Sequence, residues 1–248
     1  MQGVTVITGA AGGIGRAMML RFAEAGQTVV GLDLPGACPP DDPRYLACDI
    51  TDEAQVNAAV ERVLVQHGRI DVLVNNAGLS AVGAFLDHDV SVYRRVMEVN
   101  YIGALICTRV ALPALKRSRG RIVVTSSVTG FAPTIGRPAY VAAKHAVTGL
   151  FTALRYELAP SGVSVTMVHP TFVAGGMGQA AGTDEAVRTT TGSEITQDDV
   201  ARAVVTAVRR GRDLVLVGAT AKLAWWGYRI SPRGFGLLMN RKLQGEAS

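Results

Sequence analysis

The chain has 248 residues, enough for one large α/β domain or at most two small ones. Its 48% hydrophobic and 18% charged residues are typical of a compact globule and exclude a disordered chain. The sequence has no apolar run long enough for a membrane helix and no N-terminal leader pattern, so we predict a cytoplasmic protein. Three cysteines without a Cys-x-x-Cys spacing indicate neither a disulfide framework nor a thiolate metal site.

The net charge of +5 is concentrated at the C-terminal end. Residues 1–200 carry 16 basic and 18 acidic side chains, whereas residues 201–248 carry 9 basic and 2 acidic ones. A basic segment of this kind occurs in nucleic-acid binders and at acidic membranes, but more often it is a solvated helix face. No recognised nucleic-acid-binding motif accompanies it, so we predict no nucleic-acid partner.

The first thirty residues carry a pattern typical of a nucleotide site. Val4–Thr8 is a β-branched run without solvent-facing alternation, which predicts a parallel strand buried on both faces. The turn at 9–15 reads Gly-Ala-Ala-Gly-Gly-Ile-Gly, and a helix is predicted over 16–25, ending at Gly26. Glycines allow close approach of a pyrophosphate, and the free N–H groups of a helix start favour its charge. We therefore predict an anion site rather than an ordinary glycine-rich turn.

The second predicted strand, 28–32, leads into Asp33, eighteen residues after Gly15. An acidic residue at this distance meets a ribose 2′-hydroxyl and would repel a 2′-phosphate. No Arg or Lys lies at position 34 or within the glycine turn. We predict that the cofactor is NAD, with NADP the less favoured alternative.

Tyr140 and Lys144 are four residues apart and therefore share one face of a predicted helix. A positive charge near a phenol favours the phenolate, so such a Tyr could act as an acid or base near neutral pH. The spacing alone also arises by chance. Ser127, thirteen residues upstream, and the glycine turn at the start of the chain make the pair informative.

The rest of the chain alternates between apolar strands and helices. Strands are predicted at 45–48, 72–74, Arg121–Thr125, 163–168 and Leu214–Val217, and helices near residue 53 and at 94–116 and 197–209. This order predicts a single α/β domain over 1–248, a Rossmann-like doubly wound parallel sheet of about seven strands with helices on both faces.

The ordered motifs resemble those of single-domain short-chain dehydrogenases/reductases. The match covers roughly residues 3–175 and comprises Thr8, Gly9, Gly13, Gly15, Asp49, Asn75, Asn76, Ala77, Gly78, Asn100, Ser127, Tyr140 and Lys144. The resemblance implies a nicotinamide-dependent oxidoreductase that interconverts an alcohol and a ketone. An NADP-dependent carbonyl reductase and a catalytically silent cofactor-binding sensor or scaffold are the alternatives, and loss of catalysis would leave substitutions among the reacting residues.

The same resemblance implies roles for individual residues. Tyr140 would exchange the proton, and Lys144 would lower the Tyr140 pKa and bind the ribose. Ser127 would polarise the carbonyl, and Asn100 would kink its helix and hold a water leading to Lys144. The implied cofactor contacts are Gly9, Gly13, Ile14, Gly15, Asp33, Asp49, Ile50, Asn76, Ala77, Gly78, Tyr140, Lys144, Pro170 and Val173. No metal is expected, because His67, His88, His145 and His169 lack ligand-like spacing.

Two parts of the pattern leave room for interpretation. Asp49 would lie near the adenine amino group by resemblance, but from the sequence it could equally cap the helix beginning near Glu53. After the sixth strand, Thr171 and Gly175 or Gly176 stand where the family usually has Gly and Thr, so main-chain contacts to the nicotinamide are possible but the details of its anchoring are open.

Two later segments suggest how substrate and partners bind. Residues 174–196 lack a sustained period and follow a strand end, which predicts a substrate lid. The proposed site is flanked by Phe131, Ile135, Phe172, Val173 and Met177, which favours an apolar secondary alcohol or ketone. Residues 219–248 hold two Trp, one Phe and several Leu, and such apolar surface usually marks a contact. We favour a homodimer or homotetramer through this extension, with peripheral contact to an anionic membrane as the alternative.

Overall fold

A computed structural model of the protein describes residues 3–175 and 194–246, with side chains described as far as Met239. One parallel sheet of seven strands has the order β3-β2-β1-β4-β5-β6-β7. The strands are β1 (Val4–Thr8), β2 (Thr28–Asp33), β3 (Tyr45–Ala47), β4 (Val72–Asn75), β5 (Arg121–Thr125), β6 (Ser164–Pro170) and β7 (Leu214–Val217). The strand order reverses between β1 and β4, which creates the crevice where doubly wound folds bind ligands. The predicted fold class is confirmed.

Helices cover both faces of the sheet. They are α1 (Gly13–Glu24), α2 (Glu53–His67), α3 (Val90–Met97), α4 (Gly103–Ser118), α5 (Pro138–Leu158), α6 (Gln197–Arg210), α7 (Ala219–Ile230) and α8 (Pro232–Glu246). One apolar core lies between the sheet and α2, α4 and α5, and a second lies between the sheet and α1 and α6. Every residue of β1 is buried, as expected of a strand covered on both faces.

The element ends differ from the predicted ones by a few residues. Helix α1 begins at Gly13, three residues earlier than predicted, because Gly12 already has the extended backbone of an N-cap. Strand β3 ends at Ala47, and β6 continues to Pro170 because its edge pairs with β7 as far as Val217. Of the predicted lid at 174–196, residues 176–193 lie outside the described part of the chain.

The predicted helix over 94–116 lies within a longer helical stretch that is interrupted at Asn100, where the resemblance implied a kink. The chain forms α3, a π-helical turn over Glu98–Ile102 and then α4. Asn100 lies in this turn, and its Nδ2 donates to the carbonyls of Val96 and Leu79, both at 2.8 Å. A side chain that bonds into the helix ladder is a known cause of such a break. By length and composition the stretch Val90–Ser118 could cross a membrane, but α2, α5 and β4 pack against it as a core helix.

Candidate active site

The glycine turn between β1 and α1 has the shape of a phosphate cradle. Gly9 adopts φ +62°, and a Cβ on it would lie 2.7 Å from the Cα of Ala77. A Cβ on Gly15 would collide with the carbonyl oxygen of Gly9, so the turn can close only with glycine at both places. No side chain caps the start of α1 at Gly12, which leaves its first N–H groups directed at the crevice. The turn therefore fits the pyrophosphate of a dinucleotide.

Asp33 connects the end of β2 to this turn. Its Oδ2 accepts a hydrogen bond from the Ala11 N–H at 2.7 Å, and its Oδ1 accepts one from the Leu34 N–H at 2.8 Å. The carboxylate is therefore held beside the glycine turn, where it fits a ribose hydroxyl.

The segment after β4 is tied to the end of β1. The backbone N–H groups of Asn76 and Ala77 donate to the Thr8 hydroxyl at 3.0 and 3.1 Å. The Asn76 amide also donates to the carbonyls of Thr8 and Gly9, at 3.1 and 3.3 Å. The Thr8 side chain is buried, so these bonds fix the two loops of the crevice against each other.

Gly78, Asn100 and Lys144 meet at one point behind the crevice. A Cβ on Gly78 would lie 2.7 Å from Asn100 Oδ1 and 3.5 Å from Lys144 Nζ. Within the described residues, Asn100 Oδ1 is buried without a hydrogen-bond partner. Lys144 Nζ donates to the Thr125 carbonyl at 2.9 Å, and its ammonium group can donate two further hydrogen bonds. A buried acceptor near an ammonium group is the setting in which proteins hold an ordered water.

Tyr140 and Lys144 lie on α5, whose first turn begins with Pro138. Both side chains are buried, and Lys144 Nζ lies 5.4 Å from the centre of the Tyr140 ring. The Ser127 side chain, which follows β5, lies near enough to the Tyr140 phenol to oppose the rise in its pKa, and it accepts the Thr129 N–H at 3.2 Å. The structure therefore brings Asn100, Ser127, Tyr140 and Lys144 together at the carboxyl edge of the sheet.

Burial controls the titration of the Tyr140 and Lys144 pair. It raises the pKa of the Tyr140 phenol above its usual value, opposed by the nearby charge of Arg137 and the Ser127 hydrogen bond. It also lowers the pKa of Lys144 to about 8. Loss of hydration therefore outweighs the opposing contributions of Arg137 and Ser127 at this depth, and the effect of Lys144 on the phenol stays a prediction.

Asp49 does not cap α2. Asp52 is the N-cap, and its carboxylate accepts hydrogen bonds from the N–H groups of Ala54 and Gln55. Asp49 Oδ1 instead accepts from the backbone N–H and the hydroxyl of Thr51, at 2.9 and 2.7 Å. The capping interpretation of Asp49 was wrong, and its neighbour Ile50 is buried against Gly103.

The chain after β6 departs from the family pattern for a backbone reason. Pro170 ends β6 beside Val217, and Val173 forms a parallel bridge with Ile195. Gly175 adopts φ +92°, a conformation in which Thr would be strained, so the usual Thr has no counterpart at this position.

His169 is a site residue that the sequence analysis missed. Its Nδ1 lies 2.8 Å from the Ser127 carbonyl oxygen, and because that oxygen can only accept, Nδ1 carries the proton. Burial lowers the pKa of His169 to about 4, so the ring is neutral at pH 7. Its ring meets those of Phe131 and Trp225, with centroids at 5.1 and 5.9 Å. The available signal was its position next to Pro170 at a strand end on the ligand side.

Two further contacts were not predictable from the sequence. Trp225 of α7 packs edge-on against Phe131, with ring centroids 4.8 Å apart, and the Arg229 guanidinium lies 3.5 Å from the Trp225 ring centre. The C-terminal extension therefore packs against residues that border the site. The Gln197 amide lies against Gly13 and donates to the Ala174 carbonyl at 3.3 Å, beside the glycine turn.

A parallel sheet with a phosphate cradle at its reversal point and a buried Tyr, Lys and Ser beside it define a dinucleotide-dependent oxidoreductase. The family model described as short chain dehydrogenase matches residues 3–186. The chain belongs to the short-chain dehydrogenase/reductase family, and it is an NAD(P)-dependent enzyme of that family.

Known relatives agree with this assignment. Dehydrogenase/reductase SDR family member 7B of Xenopus tropicalis is 34% identical over 266 residues, which cover 98% of this chain and 86% of the relative. The structure of a short chain dehydrogenase from Burkholderia cenocepacia in complex with NADP superposes with a TM-score of 0.82 at 29% identity, covering 96% of this chain and 98% of that one. A short chain dehydrogenase/reductase from Burkholderia phymatum in complex with NAD gives 0.76 at 25% identity, covering 90% and 92%. Both dinucleotides therefore occur among similar proteins.

Proposed function

We propose that this enzyme uses NAD to interconvert an apolar secondary alcohol and the corresponding ketone, with Tyr140 as the acid and base. The observation that carries the proposal is the meeting of half-buried Ser127 with buried Tyr140 and Lys144 at the carboxyl edge of β5, beside a glycine turn that fits a pyrophosphate.

Each side chain has a defined task in this reaction. A bound nicotinamide dinucleotide supplies or accepts the hydride. Tyr140 gives its proton to the oxygen when a ketone is reduced and takes a proton back when an alcohol is oxidised. The Ser127 hydroxyl donates to the same oxygen and stabilises its developing charge. Lys144, held by the Thr125 carbonyl, stabilises the phenolate that remains after proton transfer.

Because the Tyr140 side chain is buried, the proton that it loses must be replaced along a path to solvent. Asn100 Oδ1 and Lys144 Nζ flank the same point near Gly78, and Asn100 Oδ1 has no other partner among the described residues. A water held between them would link Lys144 to solvent. Asn100 is therefore assigned to the proton path.

The preference for NAD rests on Asp33. Its carboxylate is fixed beside the glycine turn by the Ala11 and Leu34 N–H groups, and a second negative charge there would be repelled. We expect a higher kcat/KM with NAD than with NADP, and a smaller ratio in the Asp33→Ala variant. A tenfold preference of the wild-type enzyme for NADP would reject this assignment.

The apolar character of the substrate rests on the residues near Ser127. Phe131 packs beside His169, and Ile135, Phe172 and Val173 are partly or fully accessible along the same edge. Met177, the other flanking residue that the sequence indicated, lies outside the described residues.

A screen of secondary alcohols and ketones, graded in chain length and assayed with both dinucleotides, tests the reaction class. Tyr140→Phe should lower kcat by about 10²- to 10⁴-fold while NADH binding, followed by fluorescence, is kept. Tyr156→Phe is the matched control, because Tyr156 is exposed on the distant part of α5. Tight NADH binding without turnover of any tested compound would favour the silent sensor, and a Tyr140→Phe variant that retains a tenth of the activity would refute the mechanism.

A further inference from the structure

Helix α7 leaves an apolar stripe in water. Leu223, Trp226 and Ile230 are 75%, 63% and 78% exposed, and their spacing places them on one face of the helix. Leu237 and Leu238 of α8 are exposed as well. Exposed apolar patches of this kind usually mark a contact surface.

The stripe is a second apolar face, distinct from the one that holds α7 to the protein. Ala221 and Ala224 on the opposite side are buried, and Trp225 packs against Phe131. The Tyr228 ring meets Phe235 of α8 edge-on, with centroids 5.6 Å apart, which fixes the two helices to each other. The exposed stripe is therefore presented by a docked helix and is not needed for its docking.

The charge around the stripe is mostly positive. Helices α7 and α8 carry five basic residues, Lys222, Arg229, Arg233, Arg241 and Lys242, and one acidic residue, Glu246, at the end of α8. Lys222, Arg229 and Arg233 are exposed. Exposed Leu, Ile and Trp among basic side chains match the interface of an anionic bilayer, where the apolar groups enter the acyl boundary and the cations meet headgroups. We propose that the α7–α8 surface binds an anionic membrane peripherally.

Self-association through the same surface, which the sequence analysis favoured, fits the charges less well. A twofold contact presents the same patch on both subunits, so the charge pairs across it would be mostly basic against basic. Like charges brought together across an interface are repulsive, and the described side chains of α7 and α8 include no acidic partner to relieve them. An anionic lipid surface is complementary to the whole patch.

Flotation of the full-length protein with lipid vesicles tests the proposal directly. Vesicles of phosphatidylcholine alone are compared with vesicles in which about a third of the lipid is phosphatidylglycerol. We expect flotation only with the anionic vesicles and its loss at about 0.5 M salt, because the electrostatic attraction is then screened. The assay requires no turnover, so its result is independent of the proposed reaction.

Matched variants separate the apolar and the charged contributions. Leu223→Gln with Ile230→Gln should lower vesicle binding at least tenfold. The control, Val65→Gln with Tyr156→Gln, removes equally exposed apolar groups on α2 and α5 and should leave binding unchanged.

The charge variant and light scattering complete the test. Lys222→Glu with Arg233→Glu should lower binding by about fivefold or more for each charge removed. Light scattering without lipid reports self-association. Absence of wild-type flotation with anionic vesicles overturns the proposal. A second overturning result is a wild-type dimer that does not bind the vesicles and that dissociates when Leu223→Gln and Ile230→Gln are introduced.

Discussion

The stability of this protein should depend on pH through His169. Burial lowers the pKa of this imidazole from the ordinary 6.5 to about 4, and the nearby positive charges of Lys144, Arg155 and Arg229 act in the same direction. The hydrogen bond to the Ser127 carbonyl acts in the opposite direction but is outweighed. The folded protein therefore requires a neutral ring, whereas the unfolded chain takes up a proton once the pH falls below 6.5.

The sign and size of the effect follow from these two pKa values. The contribution of neutral His169 to the free energy of unfolding is fully present above pH 6.5 and is lost progressively as the pH falls from 6.5 to about 4. Between pH 7.5 and pH 5 the unfolded state gains a proton that the folded state does not bind, which lowers the free energy of unfolding by about 2 kcal/mol.

Urea unfolding at pH 7.5 and pH 5 measures this contribution when the wild type is compared with His169→Asn. The variant has lost the titrating ring, so the decrease in its free energy of unfolding should be smaller than that of the wild type by about 2 kcal/mol. Carboxylates elsewhere titrate in both proteins and cancel in the comparison. Equal decreases in the two proteins would show that His169 is not held neutral by burial and would refute the reasoning.

Two further predictions concern residues that fix the loops of the crevice. Thr8→Val should lower the free energy of unfolding by about 2 kcal/mol or more, because the N–H groups of Asn76 and Ala77 lose their acceptor; urea unfolding measures this, and an unchanged midpoint would contradict it. Asp52→Ala should lower the free energy of unfolding by about 1 kcal/mol, because α2 loses its N-cap. Asp49→Ala should not lower it by this route, because Asp49 does not cap the helix. A larger loss of stability from Asp49→Ala would reverse this assignment.

The fold and the placement of Tyr140 and Lys144 on one helix face were predictable because they depend on local patterns. Strand β1 is uniformly apolar and β-branched because it is buried on both faces, and the glycine turn follows it directly. The Tyr140 and Lys144 spacing places both on one face of α5 whatever surrounds them. Local rules of this kind are visible in a single sequence.

The details that the sequence did not reveal depend on contacts between distant segments. The resemblance implied a kink at Asn100 but not its form, a π-helical turn in which the Asn100 amide bonds the Leu79 carbonyl, twenty-one residues away. His169 matters through the Ser127 carbonyl, forty-two residues earlier in the chain. The pKa of Tyr140 depends on how deeply its side chain is buried, which no spacing in the sequence reveals.

The packing of α7 extends to the site through a short series of contacts, and this gives a final prediction. Trp225 contacts the His169 ring, His169 donates to the Ser127 carbonyl, and the Ser127 side chain acts on the pKa of the Tyr140 phenol. Trp225→Ala should weaken the hydrogen bond from His169 to the Ser127 carbonyl, which is worth about 1 kcal/mol. We therefore expect kcat to fall about fivefold in a lipid-free assay.

The KM for NAD should change little in that variant, because the glycine turn lies on the other side of the crevice. Trp226→Ala is the matched control, since it removes the adjacent indole, which faces water, and should leave lipid-free kcat within about twofold of wild type. Vesicle binding should respond in the opposite order, with Trp226→Ala the weaker binder. Equal effects of the two variants on kcat would mean that α7 acts on the site only through overall stability, and the series of contacts from Trp225 to Tyr140 would then have no catalytic role.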